Sequence, residues 1–199
     1  MKSVKLPVLA LILLLIPSCA SGPETPPANP HANPYDAPRP EFSSPVTLEE
    51  VRLAFYRYSV VSIVNALHEN SEANWNHVLN KVREGDADWI MALQSYIAPG
   101  ADAGASTAVI VTYAAALPNN PQAILQMGQG RGDSLLLVCG LPFIEPDYEF
   151  VQNYGKNALA ALQGVEEDYL LEARDFCASH LQNSLDKAEA MWNSGRWFK

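Results

Sequence analysis

Eight carboxylates fall between Glu145 and Asp175, with only two cations among them, Lys156 and Arg174. Paired carboxylates can perform glycosidic hydrolysis, one as acid and the other as base or nucleophile. Glu166, Glu167 and Asp168 are consecutive, however, and stand at the expected start of a helix, where negative charge is stabilised by the helix dipole in any case. A solvated, dipole-matched cluster accounts for them. The histidines are dispersed. His31 lies in a proline-rich stretch, while His68, His77 and His180 fall on different expected helices.

Other motifs start a pattern and do not complete it. Gly132-Asp133-Ser134-Leu135 matches the nucleophile block of a lipase and esterase family. That family sets its serine just after an early buried strand and has an Asp-x-x-His near its end. Here the block follows a late glycine-rich loop, and Asp175 and His180 are five apart. Arg131-Gly132-Asp133 is an integrin-type triplet too short to carry weight. His68-Glu69 begins a zinc-protease motif, but Glu72 occupies the second ligand's place. Asp86 and Asp88 begin like a calcium loop without its glycine and distal glutamate. No catalytic set, metal or cofactor is expected.

The elements that position these residues read as helices. Thr47 and Glu50 form a capping-box pattern, and a first helix is expected from there to His68 on the stripe Leu48, Val51, Phe55, Tyr58, Ser62. A second begins near Ser71, with Trp75, Val78, Leu79 and Val82 on its apolar face; Gly85 suits its left-handed stop. Asp86 caps a third, which packs through Trp89, Ile90, Leu93 and Ile97 and ends at Ala98-Pro99-Gly100. Asp102 caps a fourth, apolar nearly all round and therefore expected to be buried. Asn120-Pro121 opens a short fifth. Leu135–Phe143 is the one strand-like run, either extended or a buried loop. Two long helices follow, from about Asp147 and about Glu166. Trp192, Trp197 and Phe198 lie past the last clear apolar face, either packed back or marking an interface. The expectation is all-α: one compact domain of about seven helices over residues 46–199.

The segment from Trp75 to Phe143 contains G-D-x-x-W (Gly85, Asp86, Trp89) and P-G-x-D-A-G (Pro99 to Gly104). It resembles a group of small exported proteobacterial helical proteins with no established activity, over roughly residues 74–145. The resemblance implies a helical fold and no mechanism. The same residues have structural roles of their own. Gly85 and Gly100 permit turns, Asp86 and Asp102 cap helices, and Trp75 and Trp89 pack.

At the N-terminus, Lys2 and Lys5 precede eleven residues, Leu6 to Ile16, that are too few to span a bilayer core, which takes about 20. The run ends Ile16-Pro17-Ser18-Cys19. This resembles the lipobox of bacterial lipoproteins, with Pro17 where a small or aliphatic residue is usual. The resemblance implies a signal peptide over residues 1–18, cleavage before Cys19, a diacylglyceryl group on its sulfur and a fatty acyl chain such as palmitate on its amine. Ala20, in place of aspartate, is similar to lipoproteins sorted to the outer membrane. Residues 19–45 then carry eight prolines, which exclude helix and central strand and give a tether rising about 3.1 Å per residue.

Removing residues 1–18 lowers the basic residues from 13 to 11 against 22 acidic ones. An acidic chain without a basic cluster is no candidate for nucleic acid. Cys139 and Cys177 remain. An exported location makes a disulfide the default, closing a loop worth roughly 4 kcal/mol; buried thiols or a metal pair are the alternatives. The expected function is that of a lipid-anchored periplasmic or outer-membrane interaction module, an accessory, immunity or exclusion-type lipoprotein. It would be held to lipid through Cys19 and bind an envelope protein. An envelope hydrolase using the acidic cluster or Ser134, or a small-ligand carrier, are the rival readings.

Overall fold

A computed structural model of the chain describes residues 38–69, 71–129 and 132–197. The signal peptide, Cys19 and most of the tether lie outside the described residues, as does the side chain of Ser134. Nine α-helices and no strand occur among the described residues: α1 Leu48–Phe55, α2 Val60–His68, α3 Ala73–Arg83, α4 Ala87–Ala92, α5 Ala103–Ala116, α6 Pro121–Gly128, α7 Gly132–Val138, α8 Tyr148–Gln163 and α9 Leu171–Asn193. The fold is all-α, with one contiguous apolar core. No helix among the described residues is long and apolar enough to cross a membrane.

Two helices beyond the expected seven have clear causes. The segment from Thr47 to His68 is not continuous. Ser59 takes an extended conformation and its hydroxyl accepts from Ser62 N at 3.1 Å, so a new helix starts there. Serine competes with the helical ladder in this way and favours caps. The strand-like run is also helical from Gly132 to Val138. Leu135, Val138 and Cys139 are buried while Leu136 and Leu137 are exposed, the spacing of a helix face. A lone strand would leave its backbone groups unpaired, and a short apolar run does not by itself separate the two conformations. The last helix starts late: Asp168–Leu170 forms a 3₁₀ turn before α9.

The expected caps are in place. Thr47 and Glu50 exchange both bonds of the capping box. Asp86 accepts from Asp88 N and Trp89 N, Asp102 from Ala105 N, and Asn120 from Ala123 N. Gly85 has φ +86°, the left-handed conformation that spares only glycine a steric cost. The turn around it is also tied to the α5–α6 corner: Asn119 Nδ2 donates to Arg83 O at 2.7 Å and Asn120 Nδ2 to Gly85 O at 2.8 Å. Trp75 and Trp89 are buried, as expected.

Gly100 serves close approach. The α4 helix runs on through a π-helical turn, Leu93–Ile97, and a 3₁₀ turn, Ala98–Gly100. A Cβ on Gly100 would lie 2.6 Å from the carbonyl carbon of Val60, so the glycine lets this corner abut the start of α2. The fourth expected helix, α5, is buried over Thr112 to Ala114 and at Ala116, whereas Ala103, Gly104 and Thr107 face solvent. Its apolar composition reflects small residues as much as burial.

Residues ahead of α1 are tied to the body through a side chain of α3. Asn74, 5 % exposed, accepts from Val46 N at 2.9 Å and donates to Ser43 O at 2.9 Å. The Glu50 carboxylate accepts from Ser43 N, Ser43 Oγ and Thr47 N. The last residues assigned to the tether therefore lie against α1 and α3.

Helices α8 and α9 form an antiparallel pair, with Tyr148 against Trp192 at one end and Gly155 against Leu185 further along. A Cβ on Gly155 would come within 2.5 Å of Leu185, so the helices meet closely there. The Sγ atoms of Cys139 and Cys177 stand 2.06 Å apart, at disulfide distance, and link the end of α7 to α9 across 38 residues of chain.

Candidate functional site

The acidic residues that suggested hydrolysis lie at the surface or in a hydrogen bond. Glu166 and Asp168 are exposed before and within the 3₁₀ turn, and Glu167 accepts from the side-chain amide of Gln122. His31 lies outside the described residues, and each of the other three histidines lies against its own aromatic ring. His68 stacks on Trp75 at 4.4 Å, His77 meets Trp89 edge-on at 6.0 Å, and His180 lies parallel to Phe176 at 6.0 Å. Asp86 and Asp102 are spent on caps. Among the described residues no three His, Cys, Asp or Glu side chains come together as a metal site. Between α5, α6 and α7 lies a mostly apolar hollow of about 220 Å³, lined by Val109, Ile110 and Met127 among others. That is below the 300–1,000 Å³ usual for a small-ligand pocket.

A larger feature is an open cleft of about 940 Å³ at the end of the α8–α9 pair. It is built from three segments. The first is the link that follows Cys139. There Glu145 takes φ +44°, uncommon for a non-glycine residue, ahead of Pro146 and Asp147. The second is the first two turns of α8, carrying Tyr148, Glu149, Gln152 and Asn153. The third is the end of α9. Gly195 there adopts φ +65°, with Gly195 N bonded to Trp192 O and Arg196 N to Met191 O. This is the Schellman pattern of a helix stop, and it turns the chain back on itself.

The reversal brings Trp197 over α8. Its Nε1 donates to Pro146 O at 3.1 Å, and its ring meets Tyr148 edge-on at 5.7 Å. Trp192 stacks on the same tyrosine at 4.8 Å and 6°. Trp192 and Trp197 thus pack back, Phe198 lying outside the described residues, yet Trp192 stays 50 % exposed and lines the cleft. An apolar shoulder adjoins it, a second hollow of about 480 Å³ lined by Val111, Phe143, Ile144 and Phe150, with Ile144 76 % exposed. Behind that shoulder Phe143, Phe150 and Tyr154 form an aromatic cluster; burial there pushes the Tyr154 phenol well above its ordinary value.

Three carboxylates, Glu145, Asp147 and Glu149, line the cleft, and among the described residues no Lys, Arg or His does. Asp147 stands at the N-cap of α8 but makes no capping bond, unlike Thr47, Ser59, Asp86, Asp102 and Asn120. Its oxygens are not used by its own helix. Sequence reasoning missed this site, although both halves of its signal were present: the start of the acidic run and the C-terminal tryptophans. Their juxtaposition depends on the α8–α9 pairing, across some fifty residues. The chain matches no protein-family model, no curated protein and no solved structure.

Proposed function

We propose that this protein is a lipid-anchored interaction module of the bacterial envelope. It is held to the membrane through acylated Cys19 and engages an envelope protein at the cleft between the α8 start and the α9 end. The observation that carries the reading is the cleft itself. It is open and lined by aromatics and carboxylates, while the described histidines stack on aromatic rings and Asp86 and Asp102 cap helices. Half-exposed aromatic side chains in such a setting favour association, since interface hot spots are enriched in Trp and Tyr. The acidic composition agrees with a protein partner and opposes nucleic acid. Two or more acyl chains give durable anchoring, which a single chain does not.

Two experiments test this. Metabolic labelling with an alkyne fatty acid should mark the parent protein and not Cys19→Ser, and the variant should leave the membrane fraction; unchanged labelling and fractionation would refute the anchor. A photo-crosslinking residue placed in living cells at Gln152, in the cleft, should capture a defined partner, while the same residue at Asn80 on α3 should not. Equal capture at both positions, or none at Gln152, would refute the module.

A further inference from the structure

The cleft's chemistry narrows what it can hold. Glu145, Asp147 and Glu149 place three carboxylates within five residues, and among the described residues none of them enters a salt bridge. Arg196, close in sequence to the tryptophans, bonds Ser194 Oγ and does not line the cleft. An anionic or purely apolar occupant would have to desolvate these carboxylates without compensation, which is costly. A cation would relieve their mutual repulsion. The aromatic lining of Tyr148, Trp192 and Trp197 adds an electron-rich surface that attracts a guanidinium or ammonium group. Arginine satisfies both demands, forking onto a carboxylate while its plane lies along a ring. The volume, about 940 Å³, is at the top of the small-ligand range, but the cleft is open to solvent, which suits a length of chain better than an engulfed molecule.

We infer that the cleft binds an extended, arginine- or lysine-rich segment of the partner, with the carboxylates of Glu145, Asp147 and Glu149 pairing its cations and Trp192 supporting their stems. This rests on the reading of the protein as an interaction module and specifies the partner's chemistry.

The test uses the full lipidated protein in neutral phosphatidylcholine vesicles. The probe is a fluorescent, end-capped hexapeptide of alternating glycine and arginine, followed by anisotropy at low salt. The parent should bind it, and the same peptide with citrulline for arginine, which keeps the shape without the charge, should not bind. The triple variant E145Q/D147N/E149Q should weaken binding about tenfold or more, the product of three modest surface pairings. A remote variant of equal charge change, E84Q/D88N/E172Q, should change it less than about twofold, and Trp192→Ala should weaken it with no change in net charge. Melting curves establish that the variants fold, and the citrulline comparison needs no variant at all.

Equal binding of the citrulline peptide, equal loss in the remote variant, or no peptide binding would each overturn the inference. So would binding of an N-acetylglucosamine tetramer that depends on Trp192 and ignores the triple variant, which would assign the cleft to glycan. Capture of a partner at Gln152 without peptide binding removes the cationic inference and leaves the module. Peptide binding without capture keeps the charge selectivity and removes the module.

Discussion

Asn74→Ala should detach the segment that leads into α1. The Asn74 amide joins Val46 N and Ser43 O, each at 2.9 Å, across about thirty residues of chain. Val46 is 1 % exposed, so its N–H loses a partner in a place that water does not readily reach. Leaving a buried donor unmatched costs about 1–3 kcal/mol, and loss of the second bond adds about 0.5–1.5 kcal/mol, less because Ser43 is exposed. The expected total is about 2–3 kcal/mol. For a domain of this size that lowers Tm by roughly 4–12 °C, at about 2–4 °C per kcal/mol. The Val46 amide should exchange with deuterium about thirtyfold to a hundredfold faster, provided its opening is local to this segment. Urea unfolding measures the first quantity and hydrogen exchange the second. Asn74→Asp separates the two bonds, because a carboxylate can still accept from Val46 N but cannot donate to Ser43 O. If Asn74→Ala unfolds within 0.5 kcal/mol of the parent and Val46 stays protected, the segment is held by something other than this amide and the reasoning fails.

Two further predictions concern glycine and pH. Gly100→Ala places a methyl 2.6 Å from the Val60 carbonyl carbon, and backbone on both sides cannot swing away; it should destabilise by about 1–3 kcal/mol in urea titrations. Gly104→Ala, where the new methyl would meet only Asp102 Oδ1 at 3.5 Å, should be neutral or stabilising by up to about 1 kcal/mol, since it removes a glycine from α5. Equal effects at the two sites would show that close approach does not distinguish them. Burial pushes the Glu50 carboxyl up, but hydrogen bonds from Ser43 and Thr47 outweigh it and hold the group at about 2 against an ordinary 4.5. The unfolded chain therefore takes up the proton first as pH falls. The stabilisation is full above about pH 5 and drains away toward pH 2. Discounted for solvent screening of this half-exposed group it amounts to about 1 kcal/mol. The stability gap between parent and Glu50→Gln should therefore be open at pH 7, narrowed to about a quarter at pH 2.5 and nearly closed by pH 2; a gap independent of pH would show that the carboxylate does not act through these bonds.

What could be read from the residues in order was set by interactions that close within a few positions. The Thr47–Glu50 box, the Asp86, Asp102 and Asn120 caps and the Gly85 stop each involve groups at most five residues apart, and each stands where the spacing put it. The all-α class followed, because helical periodicity is local. The tertiary structure decided matters between distant segments. Whether Thr47 to His68 formed one helix or two depended on how its halves packed as well as on Ser59. Whether Leu135 to Val138 became strand or helix depended on the absence of a neighbouring strand and on burial of alternate turns. Gly100 is required by a backbone from α2, and Asn74 by one that precedes α1. The cleft is the furthest such case: Trp197 reaches Pro146 across 51 residues, and the carboxylates and tryptophans become one surface only once α8 and α9 lie antiparallel. Pairings of that range carry no periodic signature along the chain, so the chemistry was present in the residue types while its location was settled by packing.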